Sequence, residues 1–331
     1  MSANRPSPHD VDHARTDIAR LAAAFTTRVV GQENLRETLL IGLLAGGHIL
    51  LESVPGLAKT TAARVLAESI AGEFQRIQCT PDLLPSDIIG GQIYDQAHGT
   101  FVTQVGPVNA NIVLLDEINR SSAKTQSAML EAMEERQVTI AGQTHPMPTP
   151  FLVLATQNPV DQEGTYPLSE AQTDRFMLKE TLSYLTPDQE VDMLFRIDAG
   201  VYASANQVRP VMSLPEVVRL QQIAAAVFVD PRLMHYAASL VAVTRHPQQY
   251  LPQFANFIEY GASPRATIAF CKAARAYALM AGRNHVIPDD ISHVAHRVLR
   301  HRMILSFEAT AQRVTADTVI TALLQSVRVP N

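Results

Sequence analysis

The chain has 331 residues, 47% hydrophobic and 18% charged, with a formal net charge of −5. That length is enough for about two domains, and the balance excludes a disordered chain, which needs low hydrophobicity and high net charge. There is no run of ~18 apolar residues to span a membrane. Residues 1–17 are polar, without the apolar core of a secretory signal, and two cysteines are too few for a disulfide framework, so the expected compartment is the cytoplasm.

Charge is unevenly spread. Residues 1–185 hold 13 Lys and Arg against 21 Asp and Glu, and residues 186–331 hold 14 against 11, giving −8 and +3. A nucleic-acid motor usually carries a strongly basic face, which the first half lacks. Opposite signs suit docking of one subunit's first half on a neighbour's second half.

In chain order, the first ten residues read as a frayed terminus, and a helical pattern follows over about 11–29. Apolar runs then alternate with helical stretches, the mark of an α/β unit. The runs are 48–52, 74–78, 112–115, 151–155 and 176–180, with helices expected over 60–71 and 125–135. Near-continuous apolar strands separated by helices imply a parallel sheet buried on both faces. The expected first domain is therefore a five-stranded α/β unit over residues 1–185. After residue 185, Thr186-Pro187-Asp188-Gln189 and Ser213-Leu214-Pro215-Glu216 have the spacing of capped helix starts. Ser263-Pro264-Arg265, Pro288-Asp289-Asp290 and Thr315 open further helices, so residues 186–331 read as a small all-helical domain.

Residues 53–60, Ser-Val-Pro-Gly-Leu-Ala-Lys-Thr, follow the first strand and precede a helix. The phosphate-binding loop pattern is G-x-x-x-x-G-K-[ST]. Ser53 and Ala58 replace its two glycines, while Lys59 and Thr60 stand in register. A loop entering a helix N-terminus still points backbone N–H groups at an anion. Lys59 would reach the terminal phosphates, and the Thr60 hydroxyl would ligate Mg²⁺. The nucleotide-binding set is Pro55, Gly56, Leu57, Ala58, Lys59, Thr60 and Thr61.

The third strand ends in Asp116 and Glu117. Ligands of open α/β sheets bind at the carboxyl ends of strands. Asp116 would hold Mg²⁺ through water, and Glu117 would orient and deprotonate the attacking water. Asn158 ends the next strand and would help position that water. Arg175 precedes the last strand and Arg265 opens a helix of the second domain; arginine matches phosphate geometry and spreads transition-state charge.

Together these segments resemble AAA+ ATPases, most closely the MoxR family. The match rests on Val30-Gly31-Gln32, Gly56-Leu57-Ala58-Lys59-Thr60, Leu115-Asp116-Glu117-Ile118-Asn119-Arg120, Ala155-Thr156-Gln157-Asn158-Pro159, Thr173-Asp174-Arg175-Phe176 and Ala262-Ser263-Pro264-Arg265. The resemblance implies a P-loop sheet domain followed by a helical lid, with ATP at their junction. It places Val30 and Gly31 at the adenine, Lys59 and Thr60 in Walker A, and Asp116 and Glu117 in Walker B. Asn158 becomes sensor 1, and Arg265 becomes sensor 2. Arg175 becomes an arginine finger acting on a neighbour's ATP, and Arg120 a possible trans-acting residue. Residues of about 84–106 match the family's helix-2 insert and 136–148 its hairpin before sensor 1, both facing a ring's central pore. The implied assembly is a homo-oligomeric ring, a hexamer, whose hydrolysis rocks the lid. The implied work is remodelling or maturation of client proteins, often with a von Willebrand factor A domain.

Three other readings stay open: a nucleotide-sensing interaction protein with little turnover, a nucleic-acid motor of the related helix-2-insert group, and a GTP-specific motor, since base choice is hard to read from loops. Intact Asp116, Glu117 and Arg175 argue against the first. Arg136 as the only formal cation in the two inserts argues against the second. His293, His296 and His301 read as a solvated or satisfied face rather than a metal site, and Cys79, Cys271, Met129 and Met133 read as core. Lys59→Ala is expected to abolish tight nucleotide binding, measured by titration with a fluorescent ATP analogue.

Overall fold

The computed structural model describes residues 5–159, 165–202 and 208–330. In chain order its strands are β1 (Ile49–Glu52), β2 (Phe74–Gln78), β3 (Gly90–Asp95), β4 (Thr100–Val105), β5 (Ile112–Asp116), β6 (Gln137–Ile140), β7 (Gln143–Pro146), β8 (Leu152–Gln157), β9 (Leu178–Thr181), β10 (Ile258–Tyr260) and β11 (Ile304–Leu305). Five of these form one parallel sheet in the order β2-β5-β8-β1-β9. All of β5 is buried, which accounts for its unbroken apolar run.

Alternate side chains of a strand face opposite ways, and here each way leads into apolar packing. Ile112, Leu114, Leu152 and Leu154 join a core with the helices Pro8–Thr26, Glu33–Ala45 and Lys59–Ser69. Val113, Leu115, Val153 and Ala155 face Met129, Leu130 and Met133 of the helix Ala123–Glu135. The first core does not stop at the sheet domain. It continues into Phe270, Ala273 and Leu279 of the helix Pro264–Met280, so the lid and the sheet share one apolar interior.

A buried charge cluster crosses the same junction. Arg297, on the lid helix Pro288–Leu299, reaches Glu180 of β9 at 2.7 Å and Glu37 at 2.8 Å. Glu180 also accepts from the Thr38 hydroxyl, and His293 meets Glu37 at 2.6 Å while stacking on Tyr277.

Several expectations need correcting. The first helix begins at Pro8, capped by Ser7, inside the stretch expected to fray; residues 1–4 lie outside the described residues. The helix Glu33–Ala45 was not expected, because it is buried nearly all round and shows no amphipathic stripe. The second domain is not wholly helical: β10 and β11 form a small antiparallel ribbon, too short to show alternation. The 84–106 insert folds as a short helix, Pro85–Ile89, and the β3–β4 hairpin; the 136–148 insert contains the β6–β7 hairpin. Cys79 is buried, and burial pushes its thiol up to about 12. Among the described residues no helix is long and apolar enough to cross a membrane.

His48, at the entry to β1, is buried. Its Nδ1 accepts from the Val153 N–H at 3.0 Å, so Nε2 carries the hydrogen and donates to the Met133 carbonyl at 3.1 Å. Burial pushes its pKa down to about 4, against a smaller opposing effect of the Met133 hydrogen bond. The unfolded chain therefore binds the extra proton first as pH falls. Folding stability contributed by the neutral ring is complete above about 6.5 and declines by about 1.4 kcal/mol per pH unit down to about 4. His301, pushed well down by burial, adds to the same dependence. Denaturation midpoints should therefore fall with pH across that window, and His48→Gln should remove only the part of the slope, about 1.4 kcal/mol per pH unit, that His48 contributes.

Candidate functional site

The site starts where β1 ends. The chain leaves Glu52, turns through residues 53–58 and enters the helix Lys59–Ser69. Gly56 has φ +87° with open space beside it, so conformation rather than crowding demands glycine. Of the two replaced glycines, only Ala58 adopts a positive φ, +55°. A left-handed alanine costs roughly 1–2 kcal/mol. Ser53 fits its place without that cost: it is buried, and its N–H donates to the Gln157 carbonyl at 3.1 Å.

The loop faces an open cleft of about 430 Å³ lined by residues 55–61 with Arg76, Gln78, Asp116, Glu117 and Asn158. Sheet order explains the convergence. β8 lies between β1 and β5, so the loop after β1, Asn158 after β8 and the acids after β5 meet at one edge. Lys59 Nζ donates to the Val54 carbonyl at 3.3 Å. Burial holds its pKa below the usual lysine value, with Asp116 and Glu117 opposing the shift.

Thr156 fixes both acids. Its hydroxyl donates to Asp116 Oδ1 at 2.7 Å and accepts from the Glu117 N–H at 2.8 Å. Glu117 stands at φ +58°, which turns its side chain out of the strand. Asp116 Oδ2 and Glu117 Oε2 are held by neighbours. Arg76 reaches Asp116 Oδ2 through Nη2 at 2.7 Å and Nε at 3.0 Å. Gln78 Nε2 donates to Glu117 Oε2 at 3.1 Å, and Arg120 Nε approaches the same oxygen at 3.1 Å. Arg120 is thus paired within its own chain.

Val30 and Gly31 are not part of the cleft lining. A Cβ on Gly31 would fall 2.6 Å from Gln189 Cδ and 2.7 Å from Leu185 Cδ2, so this segment packs on the start of the helix Pro187–Asp198. Arg175 and Arg265 are also outside the cleft, and they are together. Both meet Glu134: Arg175 Nε at 3.0 Å, and Arg265 through Nη2. They line a smaller pocket with Gly46, Gly47 and His48, the residues that enter β1. The loop leaves β1 at its other end. The two arginines and the loop therefore occupy opposite edges of the sheet.

Residues 48–178 match the ATPase family associated with various cellular activities (AAA), and residues 254–323 match the AAA lid domain. The chain is 46% identical to Chaperone MoxR1 of Mycobacterium tuberculosis, over 97% of this chain and 83% of that protein. This chain belongs to the MoxR family of AAA+ ATPases. It is 44% identical to the uncharacterized YeaC protein of Bacillus subtilis, over 91% of each chain. It also superimposes on the crystal structure of a candidate ATPase from Cytophaga hutchinsonii with a TM-score of 0.91, 45% identity and 97% coverage of each chain. Nucleotide binding and ATP hydrolysis follow from that membership and architecture.

Sequence reasoning missed four residues of this MoxR-family site: Arg76, Gln78, Thr156 and Glu134. Arg76 and Gln78 did leave a signal. They are exposed polar residues two apart on β2, the edge strand paired with β5, and Gln78 is in register with Asp116. Thr156 stood inside a matching segment without a role of its own and Glu134 gave no signal, because a buried hydroxyl and a helical glutamate are told apart from their neighbours only by tertiary contact.

Removing the Thr156 hydroxyl leaves a buried carboxylate oxygen and an N–H each short of a partner. Thr156→Val is expected to lower folding stability by about 1–3 kcal/mol and turnover by about 10–100-fold. Thr156→Ser should restore most of both; denaturant midpoints and steady-state phosphate release check it.

Proposed function

We propose that this chain hydrolyses ATP with Mg²⁺ at the interfaces of a ring, a hexamer, each site combining one subunit's P-loop cleft with a neighbour's arginines. The observation that carries this reading is the position of Arg175 and Arg265. They stand side by side at the edge of the sheet opposite to the chain's own loop, where a neighbour's phosphates have access and its own do not. Within the cleft the donor set suits the substrate. Backbone N–H groups at the helix N-terminus and Lys59 hold the phosphates. The Thr60 hydroxyl and Asp116 supply the hard oxygen ligands that Mg²⁺ prefers; the ion would neutralise charge on the phosphates. Glu117 takes the proton of the attacking water, and Asn158 orients that water. Val30 and Gly31, at the base of the helix Pro187–Asp198, border the adenine. Arg76 and Gln78 hold Asp116 and Glu117 until the substrate enters.

The work done with this hydrolysis is chaperone-like remodelling of client proteins, in keeping with the name chaperone that the M. tuberculosis relative carries. A client with a von Willebrand factor A domain is the type the family resemblance implies. The β3–β4 hairpin supports a polypeptide client over a nucleic acid. Its exposed cross-strand pairs are apolar, Ile93 with Val102 and Tyr94 with Phe101, and the insert carries no lysine or arginine.

Steady-state hydrolysis measured against protein concentration, with molecular mass at the same points, tests the shared site. Specific activity should rise with assembly, and Glu117→Gln should bind ATP while losing at least ~100-fold in turnover. Arg175→Ala mixed with Lys59→Ala should recover part of the activity that each lacks alone. Activity flat with concentration, and no recovery on mixing, would overturn the reading.

A further inference from the structure

Glu134 has a role that neither cleft nor lid explains. It lies in the last turn of the helix Ala123–Glu135, where the helix dipole disfavours a carboxylate. It nevertheless binds two guanidinium groups brought by separate elements, Arg175 before β9 and Arg265 from the lid. The Arg175 contact is an ion pair without hydrogen-bond alignment, and Arg175 Nε is a buried nitrogen lacking a hydrogen-bond partner. The other carboxylate of this pocket, Asp174, is committed elsewhere: it accepts from Arg302 Nε at 2.8 Å and from the Ser263 hydroxyl at 2.7 Å, while Glu131 and Glu135 line a separate pocket beside Arg175. The pocket lining includes Arg136, Arg175, Arg265, Lys272 and Arg302 against only Glu134 and Asp174, so it favours a further anion.

We propose that Glu134 is a positioning residue that stands in for the neighbour's terminal phosphate. Building on the shared-site reading, its carboxylate keeps two mutually repelling arginines together on the free face. It then yields them when phosphate of higher charge arrives. The exchange has a cost and a benefit. Charge-assisted contacts to Glu134 must break before phosphate is bound, which weakens apparent substrate affinity. In return the arginines are already close to their working places, which favours turnover.

The consequence is a split between KM and kcat. Glu134→Gln keeps the size of the side chain and removes its charge. In the mixture of Lys59→Ala, which supplies arginines, with Arg175→Ala, which holds ATP, only one kind of interface is active. Glu134→Gln added to the Lys59→Ala chain is expected to lower the KM for ATP on the order of tenfold and kcat several-fold. Glu134→Asp in the same place retains the charge and should return KM toward that of the unaltered mixture. An unchanged or raised KM, or an equal shift when Glu134→Gln is carried by the Arg175→Ala chain, overturns the role of Glu134 alone. An inactive unaltered mixture overturns the shared site and the role of Glu134 with it.

Discussion

The 2.7 Å hydrogen bond from the Thr156 hydroxyl to Asp116 Oδ1 joins the ends of two adjacent strands, and the chemistry of the cleft takes its geometry from that link. Thr156 is wholly buried in β8, and Asp116 closes β5, which is buried throughout. Neither strand has freedom to slide, because a one-residue slip would exchange the side chains that fill two different close-packed cores. The same hydroxyl accepts from the Glu117 N–H, so Asp116 and Glu117 share a single anchor. The P-loop is joined to the same strand end, through the Ser53 N–H and the Gln157 carbonyl.

A second anchor organises the opposite edge of the sheet. Arg302 is buried between Asp174 and the Met177, Phe176 and Val298 carbonyls. Asp174 also takes the Ser263 hydroxyl, and Ser263 caps the helix that starts with Pro264 and Arg265. The residue before Arg175 and the residue two before Arg265 are thus hydrogen-bonded to each other. The two arginines belong to different parts of the chain, yet their backbones are held as one unit. Burial lowers the Arg302 pKa against the opposing pull of Asp174. A buried pair of this kind is strongly destabilising to break, which makes it an effective register device.

The sheet was legible in the sequence because its strands are buried on both faces and read as continuous apolar runs. The expected segments 74–78 and 112–115 match Phe74–Gln78 and Ile112–Asp116 within one residue. The phosphate loop was legible because Gly56, Lys59 and Thr60 keep their spacing. Thr156, Glu134 and the Arg302–Asp174 pair were not, since each acts through partners 39 to 131 positions away in sequence. The helix Glu33–Ala45 escaped for the opposite reason: too many of its faces are buried for any stripe to show. The position of Arg265 was likewise hidden. Its helix start is plain in Ser263-Pro264, but which edge of the sheet that start meets is a property of the folded chain.

The apolar interior that runs unbroken from the sheet into the lid bears on how such a machine moves. Phe270, Ala273 and Leu279 pack in the same core as Leu39 and Leu43, and Arg297 pins the junction to Glu180 and Glu37. Opening that seam would expose apolar surface to water and strand buried charges. In the ring proposed above, the compliant joint would then lie between copies rather than along this seam. Each chain of such a ring would then act as a stiff wedge, and a stroke would change the angle at which wedges meet, in place of the lid rocking that the family resemblance implies.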